Sequence, residues 1–278
     1  MSLFNAFFRA IFDRMMGPFE GMPALVTLLP ISLVFSVFAL YAFKWTSDQD
    51  AMEEVKRKIH AGIFEIRLFN DDLRAIFRAQ FEVFGHVLNN FRLILIPLLW
   101  MLVPAGILVT QLQFHYGYSG LEPGDRVLVK AILKGDPDPT DREKPAYSLE
   151  VPAGIRVETE PIWIPSRNEI TWRIAVEAEG SYELRIVAAD GTSSTKSLQV
   201  TDKIVRRSPK RGSTFLDQLA SPAEAPLPAD SPFRAIWVDY PEVDVSLFGL
   251  VELNWIIAFL LISVPIAFAL RGPLGVTF

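Results

Sequence analysis

The sequence predicts an α-helical membrane protein with three transmembrane helices and a cytoplasmic helical hairpin, joined to an extracytoplasmic antiparallel β-sandwich. Apolar runs at 23–43, 93–112 and 247–270 each have the ~20 residues that carry a helix across a hydrocarbon core of ~30 Å. Between the first two lie two stretches of helical period around a polar break; between the last two the period switches to strict alternation. Composition agrees. Of 278 residues, 50% are hydrophobic and 21% charged, which argues against a soluble cytosolic enzyme. The net charge of −5 gives no basic field for nucleic acid. The absence of cysteine excludes disulfides, thiolate catalysis and zinc–thiolate sites.

Residues 1–22 read as an interfacial amphipathic helix. Phe4, Phe7, Phe8, Ile11, Phe12 and Met15 recur at helical spacing, with Asn5, Arg9 and Asp13 opposite, and Gly17-Pro18 ends the pattern. Such a stripe lies flat on a membrane or packs against the protein's own spans. The first transmembrane helix covers 23–44. Its apolar stretch exceeds that of a signal peptide and ends in bulky Tyr41-Ala42-Phe43-Lys44, so it is read as retained.

Residues 45–92 form the hairpin. Ser47 with Asp50 resembles a capping box, and Met52, Val55, Ile59, Ile63 and Ile66 make one apolar stripe. Asn70-Asp71-Asp72 is turn and N-cap chemistry. A second stripe, Leu73, Ile76, Phe77, Phe81, Phe84, Leu88 and Phe91, then runs unbroken into the second transmembrane helix, 93–112. The arms either pack on each other alone or present Phe77, Phe81 and Phe84 to a client or partner. Gly62 and Gly85 are points of close approach or bending.

Residues 113–202 hold the β-domain. Strands are expected at 125–134, 147–151, 155–164, 169–177, 181–188 and 194–200, with Asp190-Gly191 as a hairpin turn. The run from Gly180 to Gly191 resembles the late hairpin of an immunoglobulin-like domain. Residues 203–246, with six prolines between Pro209 and Pro241, read as a surface-hugging linker, partly mobile, in which Phe233, Ile236, Trp237 and Tyr240 dock on the domain or the membrane. The third transmembrane helix is placed at 247–270 and a cytoplasmic tail at 271–278. Glu252 falls at the outer interface.

Orientation follows the basic residues. Lys44, Lys56, Arg57, Lys58, Arg67, Arg74, Arg78 and Arg92 border the hairpin, against Arg9 and Arg14 before the first span. This puts the hairpin and C-terminus in the cytoplasm, and the N-terminus and β-domain outside a multi-pass plasma (inner) membrane protein.

Reaction chemistry is not written in the chain. His60, His86 and His115 stand alone, and no phosphate loop, nucleophile elbow or dinucleotide fingerprint occurs. Asp136, Asp138 and Asp141 share a loop without EF-hand spacing. No enzyme activity, cofactor or metal is therefore expected.

The order of amphipathic helix, span, cytoplasmic hairpin, span, outer segment and span resembles the YidC-type membrane insertase superfamily, above all its three-span archaeal and ER members. Residues 1–112 and 247–278 carry that resemblance. The groove arginine of the bacterial members has no counterpart within Pro23–Phe43, and Lys44 stands at the end of that run. The resemblance implies a groove open to cytoplasm and lipid, for which Thr27, Ser32, Ser36, Thr110 and Gln111 are the polar candidates by chemistry. It implies an insertase- or chaperone-like function in membrane-protein insertion or assembly. The partners would be membrane lipid and nascent membrane proteins, the ribosome or other membrane-complex subunits, with no specific nucleic acid sequence. The alternative is a membrane-anchored structural or interaction protein whose β-domain binds an extracytoplasmic partner.

Overall fold

The computed structural model describes residues 2–19, 21–69, 72–135, 145–247, 249 and 251–277. The expected turn Asn70-Asp71 and the loop with Asp136, Asp138 and Asp141 lie outside them. In chain order come α1 (Ser2–Met16), α2 (Ala24–Thr46), α3 (Gln49–Leu68) and α4 (Leu73–Tyr116). Strands β1 (Arg126–Leu133), β2 (Tyr147–Glu150), β3 (Ile155–Val157), β4 (Ile162–Ile164), β5 (Glu169–Val176), β6 (Gly180–Ala188), β7 (Ser193–Val200) and β8 (Lys210–Gly212) follow. The chain closes with α5 (Phe215–Ala220), β9 (Phe233–Val238), β10 (Asp244–Leu247), β11 (Val251–Asn254) and α6 (Trp255–Arg271). Two compact units result: residues 28–107 with 256–278, and residues 1–27 with 108–255.

The first unit is helical. Helices α2 and α4 are long and apolar enough to cross a membrane. A soluble core helix hides its apolar surface, whereas only 6% of the most apolar stretch of α4 is buried. At 44 residues, α4 is about 66 Å long and carries the arm and the apolar stretch in one piece. Helix α3 starts at Asp48, whose carboxylate accepts the Ala51 amide at 2.9 Å. The expected cap, Ser47, instead donates to the Phe43 carbonyl at 2.6 Å and completes α2. Asp72 caps α4 through the amides of Arg74 and Ala75.

The arms meet on a face other than the aromatic one. Ala79 is buried, and a Cβ on Gly62 would sit 2.4 Å from Val83 Cγ2, so the small residue allows the close approach. Nothing lies within 4 Å of a Cβ at Gly85. The tail returns to the base of the hairpin. Lys44 Nζ donates to the Leu274 carbonyl at 2.9 Å, and the Thr277 amide donates to Gln49 Oε1 at 2.7 Å.

The second unit is antiparallel β. One sheet runs β3-β5-β1-β9-β8, with β4 also paired to β5; another runs β2-β6-β7. Both sheets feed one core: Val127 and Val129 from β1, Trp172 and Ile174 from β5, Leu184 and Ile186 from β6, Leu198 from β7, Phe233 and Ile236 from β9. The expected strand at 155–164 is two short ones, β3 and β4.

Two expectations are corrected. The stretch 203–246 is not a linker, because β9 pairs with β1 in the register Val129↔Val238 and Ala131↔Ile236. Its prolines bound short pieces that the sheet holds in place. The third apolar helix begins at Trp255, not Leu247. Residues 244–254 fold as a hairpin, β10 on β11, pairing Val245↔Leu253 and Ser246↔Glu252. The turn uses Gly249 at φ 72°, a conformation glycine adopts without strain. Alternating polar residues such as Glu252 suit that ribbon better than a lipid-facing helix.

Candidate functional site

Within the β unit, the ends of three apolar helices meet at Tyr116. Thr27 on α2 donates to the Ala24 carbonyl at 2.9 Å, so its oxygen is left to accept the Tyr116 hydroxyl at 2.6 Å. The Tyr116 ring stacks on Trp255 at 6.2 Å, and Trp255 Nε1 donates to Gln113 Oε1 at 2.7 Å. Met16 of α1 touches the same hydroxyl through Sδ at 3.9 Å.

A charged cluster lies beside this junction. Arg206 donates through Nη1 to Gln111 Oε1 at 2.9 Å and through Nε to Asp13 Oδ1 at 2.8 Å. His115 Nε2 is 3.4 Å from the same Asp13 oxygen. Burial pushes the Asp13 carboxyl up, but the His115 hydrogen bond and the Arg206 charge outweigh it and hold the group below the usual carboxylate range. This cluster fastens α1 and does not show a nucleophile beside a base.

The five groove candidates fall in different surroundings. Thr27 and Gln111 are buried in the contacts just described, and Thr110 is half-buried. Ser32 and Ser36 are buried in the helical unit, where the Ser36 hydroxyl is shared between the carbonyls of Ser32 (2.7 Å) and Ser263 (2.9 Å). Thr27 and Ser36 therefore tie helices together, and Gln111 accepts from Arg206. Hydroxyls between apolar helices do this because an unpaired polar group there is costly. Ser32 Oγ and Asn90 Oδ1 are buried without a hydrogen-bond partner among the described residues.

Phe77, Phe81 and Phe84 lie together and open, 58%, 75% and 60% exposed. Spacings of four and three put them on one stripe, which Leu88, Phe91 and Leu95, also exposed, continue into the apolar half of α4. Polar side chains form a separate stripe, with Arg78 paired to Glu82 at 3.0 Å. The helix thus has a packed face (Ala79, Val83), a charged face and an open aromatic face.

Among the described residues no group of three or more His, Asp or Glu side chains is placed to hold a metal ion. Sequence reasoning missed Tyr116, Trp255 and Arg206. Tyr116 was detectable as an aromatic residue just past the end of an apolar run; Trp255 lies inside the run 247–270, and Arg206 carried no local signal. Comparisons with protein-family models, curated proteins and solved structures gave no match.

Proposed function

We propose that this chain is a three-span, insertase- or chaperone-like membrane protein whose cytoplasmic arm receives apolar segments of nascent membrane proteins on the Phe77–Phe81–Phe84 face and passes them along α4 to the bilayer. The observation that carries this reading is the exposed aromatic stripe. Full burial of one such side chain is worth about 1.5–3 kcal/mol, so a water-facing row of them is a binding surface waiting for an apolar partner. Its continuation through Leu88, Phe91 and Leu95 gives a client one unbroken apolar track. The buried serines move the proposed path from an interior groove to this outer face of α4.

In this reading α6 is the third span. Its 17 residues reach about 25 Å, and Arg271 anchors the end at the interface. The bonds from Lys44 to Leu274 and from Thr277 to Gln49 favour a tail on the hairpin's side of the membrane, in the cytoplasm by the charge rule. The two sheets around one core favour an outer β-sandwich of immunoglobulin-like kind. The order of elements favours kinship with the YidC-type insertases, with no enzymatic step and no cofactor.

A photo-crosslinking residue placed at Phe77, Phe81 or Phe84 in cells should capture nascent membrane proteins. The same residue at Arg78 or Glu82, on the charged face, should not. No client adducts from the three sites, together with normal insertion after depletion of the protein, would remove the reading.

A further inference from the structure

We propose that the open face of α4 is a heptad seam on which a second copy of this chain docks in parallel, so that two copies cover each other's aromatic face until a client displaces one of them. This rests on the reading of that face as the client site and adds its regulation.

The spacing of the exposed residues sets this face apart from one that merely meets water or lipid. Phe77, Phe81, Phe84, Leu88, Phe91 and Leu95 are all exposed and follow one another at intervals of four, three, four, three and four residues. That is the alternation of a and d positions, with Phe77 at d and Phe81 at a, in which apolar side chains recur every ~3.5 residues. Leu98 and Leu102, exposed as well, carry it beyond the three heptads that mark a coiled-coil seam. A helix alone in solvent has no need of this period, whereas two helices wound on each other require it. The other side of α4 is already taken. Ala79 and Pro97 are buried, and Val83 meets Gly62. These are f and c positions, across the helix from a and d. Each copy therefore folds without the other, and the pairing is an exchangeable contact for which client and second copy compete.

The flanks of the seam choose the direction. Arg78 and Arg92 fall at e, Leu73 and Val87 at g. In a parallel pair e meets g of the other copy, so Arg78 lies over Leu73 and Arg92 over Val87, with apolar stems covered and no like charges opposed. In an antiparallel pair e meets e, and the arginines would confront each other. Gly85, also at e with open space around it, leaves room beside the middle of the seam. Two copies crossing one membrane also share one orientation, which a two-fold axis along the membrane normal satisfies. The contact is large enough. All four phenylalanines precede residue 93, in the water-facing arm, where their burial is favourable. An aromatic side chain carries about 150–250 Å², so four per copy bring the pair into the range of stable interfaces, about 1,200–2,000 Å².

The chain has no cysteine, so single substitutions report cleanly. Full-length Phe77→Cys, Leu88→Cys and Glu82→Cys variants are reconstituted at low density in phosphatidylcholine–phosphatidylglycerol vesicles and oxidised with copper phenanthroline. Disulfide-linked dimers should form at 77 and at 88 several-fold more than at 82, which lies at b. Stalled ribosomes carrying an apolar membrane segment should lower that linkage several-fold, and stalled ribosomes carrying a soluble protein should not. Linkage at 77 and 88 no higher than at 82, with photo-adducts to clients still formed at Phe81, overturns the proposal and leaves the client reading standing. Linkage at 88 without linkage at 77 overturns the parallel register. Linkage that clients do not lower overturns the exchange. Linkage together with no client adducts at Phe77, Phe81 or Phe84 removes the client reading and leaves the pair as a contact of assembly alone.

Discussion

The hydroxyls of Thr27 and Tyr116 lie 2.6 Å apart across 89 positions of sequence and join the first turn of α2 to the last turn of α4. The Thr27 proton is engaged by Ala24, so Tyr116 is the donor. Tyr116→Phe removes that donor and leaves the threonine oxygen unpaired at a buried site, at a cost of about 1–2 kcal/mol. The measurement is the thermal midpoint in detergent, which should fall by a few degrees. Thr27→Val should fall comparably, and the double variant should be less than additive.

At Gly62 the hairpin arms approach closely. Ala in its place gains helix propensity of about 1 kcal/mol, but its Cβ would overlap Val83 Cγ2 at 2.4 Å. Overpacking of this kind costs about 1–3 kcal/mol. Gly62→Ala should therefore destabilise the helical unit, and adding Val83→Ala should restore it. Gly85→Ala, with open space around it, should stabilise. Thermal melts of the three variants check the order.

Much of this fold was legible in the sequence. The 3.6-residue period found α1, α3 and the arm of α4, the length of the apolar runs found α2 and the rest of α4, and the alternation of Ile170, Trp172 and Ile174 found β5, because these segments are long and their patterns unbroken. What failed was short or decided at a distance. Strand β9 has six residues after a proline and gains its identity by pairing with β1 and β8. The hairpin β10–β11 was hidden because its apolar residues join those of α6 in one run. The aromatic stripe of α4 was legible, but its direction was not: composition favours Phe over Ala79 as the packed residue, and Gly62 reverses that by letting the backbones approach. The groove candidates Ser32 and Ser36 were recognised as polar, and the structure adds that both are buried and that Ser36 meets the Ser263 carbonyl, since local sequence does not reveal which neighbour a hydroxyl will meet.

Lys196 occupies an inward position of β7 with no exposed surface, and its Nζ donates to Glu224 Oε2 and to the Ser208 carbonyl, each at 2.6 Å. Burial lowers the Lys196 pKa against the pull of Glu224. Burial also raises that of Glu224, but the Lys196 charge and the bonds from Lys196, the Ser197 amide and the Ser208 hydroxyl outweigh it and hold the carboxyl below its ordinary value of 4.5. A depressed folded pKa contributes stability that is present above the unfolded value and is lost as pH falls through the folded one. The β unit should therefore weaken progressively below about pH 4.5. Glu224→Gln should flatten that part of the profile and destabilise at neutral pH by about 3–5 kcal/mol, because Lys196 is left buried without its counter-charge. Replacing both by apolar residues should recover most of the loss. Tryptophan fluorescence melts across the acid range measure both effects.

The central claim is that the open aromatic face of α4 receives clients. Its most direct test is insertion of an in vitro translated membrane protein into vesicles containing the purified protein, against vesicles containing the Phe77→Gln, Phe81→Gln, Phe84→Gln triple variant. Gln keeps helix propensity and the three sites are exposed, so the variant should fold, with an unchanged thermal midpoint. The account predicts insertion reduced to the level of empty vesicles. Wild-type insertion by the folded triple variant would contradict it.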